Sequence, residues 1–439
     1  MKILFVFPRW EKFLEARPEL SDLPYARNLD AFRIAPLSIP VLGALTPPGH
    51  EIEVLDDFVG TLDLAHPPDL AAVTCFTPQA TRAYELADAL RAAGVRVVMG
   101  GIHPTVRPRE AKEHSDAVVV GEAEGIWERV LEDAGKGTLK EFYSRAEPAD
   151  LRGLPRPRRD LFPLRTVGGI CVVQTGRGCH HRCPTCPLPA VQGGRIRTRP
   201  VEEVVAEIRG LEFPAFYLAE ESLLFPGAEH RGYAEALLEG IAGTGKSFFL
   251  ASYPFLLEKA DPAFLRRVHQ AGGRQIYLVF GVDDSGIDAF WARTEAVKRA
   301  VDRTREADLS VMGSFALGGD RDGPDCFEKL LRFARETEIN LPEFFMLTPF
   351  PGTPLGEQFE REGRILTREW KCYNGAHAVF RPKNMTPEQL EAGYVELWRT
   401  FYSPLNRYGS ALRFVRGFGP EVFRRAAKAD GEEAGKGSP

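Results

Sequence analysis

Residues 170–189 read ICVVQTGRGCHHRCPTCPLP. The first seven form an apolar, β-branched run ending in glycine, the pattern of a short buried strand. The loop behind it carries Cys179, Cys183 and Cys186 in a C-x3-C-x2-C spacing. Three thiolates this close on one loop can grip a single 4Fe–4S cube through three of its irons, because soft thiolate ligands suit iron–sulfur clusters. A fourth cysteine would close the cluster for electron transfer, whereas three leave one iron open to a further ligand. The competing readings are a zinc site that adds His180 or His181, and three inert loop thiols. Structural zinc usually takes its four ligands as two pairs, and no second C-x2-C or H-x3-H pair is present. Spacing and strand context together favour the cluster.

Outward from this loop the chain alternates strand and helix. Strands are expected at 170–176, 215–221, 248–254, 275–281, 309–318 and 343–351. Helices are expected near 200–211, 230–242, 261–272, 288–306 and 324–337. Six strand–helix units imply a curved parallel sheet, a partial (β/α)6 TIM-like barrel over residues 168–355, with chemistry at the carboxyl ends of its strands. The cysteine loop follows the first of those strands.

Residues 1–135 show a second alternation. Strands are expected at 3–7, 51–56, 70–76, 95–101 and 116–121, with a helical stretch after Pro36, an amphipathic helix at 78–94 and another after Gly121. This reads as a Rossmann-like, doubly wound parallel sheet. Ligands of such sheets sit beyond the strand carboxyl ends, here Thr74–Gln79, Gly100–Thr105 and Gly121–Glu124. Residues 136–167, dense in Pro and Arg, are expected to be a surface linker. Residues 356–439 are expected to form a small, mostly helical region with a helix near 386–403 and a small, polar, disordered tail.

GIAGTGKS (240–247) matches the G-x4-G-K-S phosphate-loop pattern. That loop works after a strand and at the start of a helix, because its amides and the helix N-terminus point at phosphate. Here the order is reversed, and the segment reads as a helix-to-strand turn. The net charge of −5 does not predict a nucleic-acid footprint. No apolar run reaches the roughly 18 residues of a membrane span. MKILFVFPRW lacks a small-residue cleavage site and reads as a first strand, so a cytoplasmic location is expected. Of seven cysteines, Cys75, Cys171, Cys326 and Cys372 are scattered and read as small buried side chains.

These features resemble the radical S-adenosylmethionine (SAM) family whose members carry an N-terminal cobalamin-binding domain. The resemblance covers roughly residues 1–400. Its most specific element is the cysteine loop followed by GGRIRTRPVEEVVAEI (193–208). One departure is Thr185, where the family usually carries an aromatic residue against the SAM adenine. AEES (219–222) and FGVDDS (280–285) resemble the family's SAM-contacting strand ends. The resemblance implies that Glu220 or Glu221 accepts from the SAM ammonium and that Asp283 holds the ribose hydroxyls. MGSFALGGDRD (312–322) and LTPFPGTPL (347–355) resemble the next two strand ends. APLSIPVLGAL, TCFTPQA, MGGIHPT and VVVGEAEG resemble the cobalamin-domain pattern, which implies corrin contacts at Thr77, Gln79, Gly100, Gly101, His103, Gly121 and Glu122. The D-x-H-x-x-G signature of a cobalt-ligating histidine is absent, so His103 is expected to pack the loop or contact phosphate.

The function implied is a cobalamin-dependent methyltransferase that takes hydrogen from an unactivated carbon with a deoxyadenosyl radical and replaces it with methyl. A radical cyclase, rearrangement or carbon–carbon coupling enzyme, with cobalamin in another role or absent, is the second enzymatic expectation; an iron–sulfur sensing module is the non-enzymatic one. Expected partners are a small-molecule or lipid-like substrate and an external electron donor of flavodoxin or ferredoxin type, with no nucleic acid. The basic, apolar segment 408–429 reads as a helix packed on the barrel. Tyr373 and His377 are further candidate substrate contacts.

Overall fold

Parallel pairing of short apolar strands organises the whole chain. The computed structural model describes residues 1–31, 33–162, 169–219, 223, 228–280 and 287–403. The N-terminal part contributes β1 (Lys2–Phe7), β2 (Ile34–Ala35), β3 (Glu51–Asp56), β4 (Leu70–Thr74), β5 (Arg96–Gly100), β6 (Ala117–Val120) and β7 (Phe142–Ser144). Six of these form one all-parallel sheet in the order β3-β1-β4-β5-β6-β7. Strand order reverses between β1 and β4, which makes the carboxyl ends of those two strands the ligand-binding switch point of a doubly wound sheet. The helix Ala80–Ala92 covers one face and ends at Gly94 (φ +81°), with the Val95 amide returning to the Leu90 carbonyl.

The second sheet adds β8 (Ile170–Gln174), β11 (Ala215–Ala219), β12 (Ser247–Ser252), β13 (Gly273–Phe280), β14 (Ser310–Leu317) and β15 (Leu341–Met346). Between β8 and β11 lies a two-stranded antiparallel ladder, β9 (Gly176–Arg177) with β10 (Arg197–Thr198). The six expected barrel strands are all present, each within a few residues of its expected bounds. A seventh joins them. β2 pairs in parallel with the start of β8, giving the order β15-β14-β13-β12-β11-β8-β2. Two residues are too short to show a period, which is why β2 was not foreseen.

Residues 136–167, expected as a surface linker, do more than connect. β7 extends the first sheet, and the Tyr143 hydroxyl donates to Asp133 at 2.8 Å. Phe162 is fully buried and packs edge-on against Phe7. The periodicity was hidden because only alternate residues of a three-residue edge strand face inward. Residues 163–167 of that segment lie outside the described residues. GIAGTGKS is a helix-to-strand turn between the helix Ala228–Ile241 and β12, and the Lys246 ammonium donates to the Leu211 carbonyl at 2.6 Å.

The helix Pro387–Phe401 packs on β15, where Trp398 and Phe401 meet Phe344. Its N-terminus is a reciprocal capping box of Thr386 and Gln389. The basic segment 408–429 and the polar tail lie outside the described residues. Among the described residues no helix is long and apolar enough to cross a membrane.

Candidate functional site

The carboxyl ends of the two sheets face one another, and the cysteine loop lies where they meet. β8 ends at Gln174, and the chain passes through β9, makes the loop and returns through β10, so the β9–β10 ladder forms a neck. Gly178 sits at that neck with φ +84°, and a Cβ there would strike the Arg195 carbonyl. Only glycine fits both demands. The Cys179 amide donates to Gly193 O at 3.3 Å, and Cys186 N to Cys183 O at 3.1 Å. Cys179 is buried, whereas Cys183 and Cys186 are partly exposed. The far side of the loop is held by the Leu355 amide, which donates to Pro184 O at 2.9 Å from the segment after β15.

No three His, Cys, Asp or Glu side chains among the described residues converge to hold a single metal ion. The three thiols thus lie along one loop that is held at both ends.

The neck is gripped from the other sheet. The side chain of Glu122, just past β6, is largely covered, and its carboxylate takes two guanidinium nitrogens of Arg197 at 2.8 and 3.0 Å. The same carboxylate accepts from Arg177 at 3.1 Å and from the Ala149 amide at 2.7 Å. Arg177 reaches on to Glu124 at 2.6 Å. Burial opposes ionisation of Glu122, but Arg197, the Ala149 amide and Arg177 outweigh it and hold the carboxyl below its usual range. Behind the neck, Glu207 joins Arg159 and Arg199, and Arg199 also donates to Gln174 O at 3.0 Å. Two of the Arg residues in the family-like stretch 193–208 thus hold the loop in place.

The residues expected at the corrin fall into two groups. Gly100, Gly101 and Gly121 lie at the ends of β5 and β6 and present backbone with no side chain. Gly101 has φ +102°, and a Cβ there would lie 2.9 Å from both Cys75 O and Thr74 Oγ1. Glycine at 101 is therefore required by the close approach of the end of β4, and the ring of Phe76 beside it is exposed. Thr77, Gln79 and His103 instead lie buried behind the strand ends, and Glu122 is partly buried there. Gln79 accepts from Phe76 N at 2.9 Å and donates to Pro8 O, tying β4 to β1 at the switch point. His103 Nδ1 lies 3.2 Å from Thr77 Oγ1, its ring packs edge-on against Trp370, and its Nε2 faces Glu110 at 3.6 Å.

Glu220, Glu221 and Asp283, expected at SAM, lie outside the described residues. Buried Asp322 accepts from Gly318 N and Gly319 N at 3.0 Å each, and from Ile287 N at 2.9 Å. It joins the end of β14 to Ile287. Tyr373 is buried and donates to Thr367 O at 2.8 Å, and His377 lies 2.7 Å from the Glu11 carboxylate.

One lumen side chain was not singled out from sequence. Glu343 on β15 accepts from the Tyr277 hydroxyl of β13 at 2.8 Å. It is partly buried, and burial pushes its carboxyl up to about 7. A carboxyl raised in the folded state favours folding most when protonated. Its contribution is complete below the ordinary value near 4.5 and is lost as pH rises through about 7. Urea unfolding at pH values of about 5 and about 8 should show stability falling over that interval. In Glu343→Gln the fall should be shallower, and an unchanged slope would contradict the shift.

Comparison with known proteins is consistent with this geometry. Residues 30–131 match the B12 binding domain family. The chain is 29% identical over 410 residues to bacteriochlorophyllide d C-8(2)-methyltransferase of Chlorobaculum tepidum, spanning 84% of this chain and 88% of that protein. It is 27% identical over 398 residues to the C-12(1)-methyltransferase of the same organism, spanning 86% and 83%. Among solved structures, the radical SAM methyltransferase TsrM from Kitasatospora setae, with cobalamin and a [4Fe–4S] cluster bound, superposes with a TM-score of 0.65 at 18% identity. That match covers 99% of each chain and extends the likeness of fold over both sheets.

Proposed function

We propose that this chain is a cobalamin-dependent radical SAM methyltransferase acting on an unactivated carbon of a small biosynthetic intermediate. One observation carries the reading: a three-thiol loop at the mouth of a parallel half-barrel is gripped by the strand end of a B12-type sheet, through Glu122 on Arg177 and Arg197. The similarity to methyltransferases over more than four-fifths of the chain supports it. When bound, the cluster, SAM and corrin supply a carbon-centred radical and a transferable methyl group.

The chain's own residues hold, orient and shield. Cys179, Cys183 and Cys186 would hold the cluster through their thiolates. Glu220 or Glu221 takes the SAM ammonium, and Asp283 the ribose hydroxyls, with Asp322 fixing the exit of that segment. Gly100, Gly101 and Gly121 give the corrin its bare backbone seat. Thr77, Gln79, His103 and Glu122 act behind that seat by holding its loops. The facing strand ends border the cleft in which the reaction would take place. Electrons come from an external flavodoxin- or ferredoxin-type donor.

The test is iron and corrin analysis of anaerobically reconstituted protein, followed by reduction in the presence of SAM. About four irons and one corrin per chain, with 5′-deoxyadenosine and S-adenosylhomocysteine formed together when substrate is present, are expected. Iron without corrin, or a rearranged, unmethylated product, would replace methyl transfer with the cyclase or coupling chemistry. Reduced protein that yields no 5′-deoxyadenosine would remove the radical reading.

A further inference from the structure

Arginine is distributed unevenly along this chain. Residues 143–199 carry eleven Arg, no Lys and three acids, in a protein of net charge −5. A block of one sign raises the question of where its charge goes. Four of the eleven turn inward, where Arg159, Arg177, Arg197 and Arg199 meet Glu122, Glu124 and Glu207. Arg152 and Arg158 pair at the surface with Asp150 and Asp160.

Arg145, Arg182 and Arg195 are different. Each is exposed, and none forms an ion pair among the described residues. All three flank the cysteine loop. Arg182 stands between Cys179 and Cys183. The Arg195 carbonyl lies against Gly178, where the loop begins. Arg145 donates to the carbonyls of Glu124 at 2.8 Å and Glu147 at 3.1 Å, which leaves its charge uncompensated. Its segment reaches the loop through Pro148, which sits against Gly193, and through Ala149, whose carbonyl accepts from Arg197. Of the three acids in residues 143–199, Glu147 alone is unpaired, so the surface beside the loop keeps a positive surplus. Cys183 and Cys186 are partly exposed, so two of the three thiol-bearing residues reach the surface in the same loop. Unpaired exposed charges add little to stability, but a cluster of one sign makes a local field that attracts a surface of the other sign.

We propose that Arg145, Arg182 and Arg195 form the docking face for an acidic electron donor of flavodoxin type, which delivers its electron at the cysteine loop. This rests on that loop holding the cluster of the proposed enzyme. One electron leaves the donor's anionic flavin hydroquinone, which becomes the neutral semiquinone, and passes to the oxidised cluster, with no proton transferred.

Calorimetric binding of oxidised, acidic flavodoxin to anaerobic holoprotein, after iron is counted, tests the face. Affinity should fall about tenfold as salt rises from about 0.05 M to about 0.3 M, because the contact is between exposed charges. The double variant Arg145→Glu/Arg195→Glu leaves the span between the cysteines untouched. Its affinity at low salt should be about tenfold weaker, with little further effect of salt. Arg182→Glu alone should weaken binding as well. Arg299→Glu, at an exposed position on the helix Thr294–Glu306, makes the same change of charge and should leave affinity within about twofold. Bleaching of the cluster band by flavodoxin hydroquinone should slow in the double variant. Methyl viologen radical, a small cation that needs no docking face, should reduce that variant at least as fast as wild type.

Affinity that is indifferent to salt, or unchanged in the double variant, overturns the proposal. An equal loss in Arg299→Glu overturns it too, because net charge would then account for the binding. Weaker SAM binding in the double variant, with flavodoxin affinity intact, would give these arginines to the SAM carboxylate and also overturn it. Wild-type protein without iron that still binds flavodoxin through these arginines would instead remove the radical reading and leave the docking face standing.

Discussion

Cys183→Ala should abolish SAM cleavage and reduce bound iron to a small fraction of the wild-type content, while corrin remains bound. A cluster held by three thiolates has no spare protein ligand, so losing one leaves two irons unheld by protein and exposes the cube to chelation. Cys183 is partly exposed on the loop, so its removal opens no core cavity and the fold should persist. The same outcome is expected for Cys186→Ala. Cys179→Ala should lose iron too, but Cys179 is buried beneath the neck and some loss of stability should accompany it. Cys75, Cys171 and Cys326 are buried in or beside core elements, where burial pushes each thiol up and away from the thiolate form. Alanine at Cys75 or Cys326 should therefore leave the iron count unchanged. Iron retained by Cys183→Ala, or lost by Cys326→Ala, would place the cluster elsewhere. The measurements are iron and acid-labile sulfide per chain, the visible absorption band, and 5′-deoxyadenosine formed on reduction with SAM.

The parts of this site that could be read from sequence share one property: they are local. The C-x3-C-x2-C loop needs only eight consecutive positions and an apolar strand ahead of it. Gly100–Gly101 and Gly121 stand out because glycine after a strand is a backbone statement, and φ values of +102° at Gly101 and +87° at Gly121 bear that out. What could not be read is held across long sequence separations. Glu122 looks like a strand-end acid facing solvent or ligand, yet its partners Arg177 and Arg197 are 55 and 75 residues away. β2 contributes two residues to a sheet whose next strand begins at Ile170. Glu343 sits in an apolar stretch, LPEFFM, where a single charge reads as a strand boundary. Only the register of β13, β14 and β15 brings it to Tyr277. One signal was available for it: an acid inside a run that otherwise predicts a fully buried strand must meet a donor or a cavity. His103 shows the converse. Its place after a glycine pair left loop packing or phosphate contact open, and the partner that encloses it, Trp370, is 267 residues on.

Glu122→Ala should cost about 3 kcal/mol of stability near neutral pH, because removing one member of a buried ionic group strands its partners without compensation. Arg197 would lose two charge-assisted hydrogen bonds, Arg177 one, and the Ala149 amide its acceptor. Arg177 would keep Glu124, so the neck should loosen without coming apart. The pH dependence carries the sign. Glu122 is held below the ordinary carboxylate value near 4.5, so its stabilisation is present above that value and is lost as pH falls through its lowered one. The gap between wild type and Glu122→Ala should be widest near neutrality and close in acid. Urea unfolding of the two proteins at pH values of about 7 and about 3.5 measures it. A gap that stays constant with pH would mean that alanine acts by loosening packing and that the carboxylate charge contributes nothing. Glu122→Gln separates shape from charge: it keeps the volume but turns an N–H toward a guanidinium, so it should recover less than half of the lost stability. The loop that this carboxylate steadies is the one that carries the three thiols. In Glu122→Ala the iron content should therefore start near that of wild type and decay several-fold faster under a chelator, whereas a purely global loss of stability would lower the initial content as well.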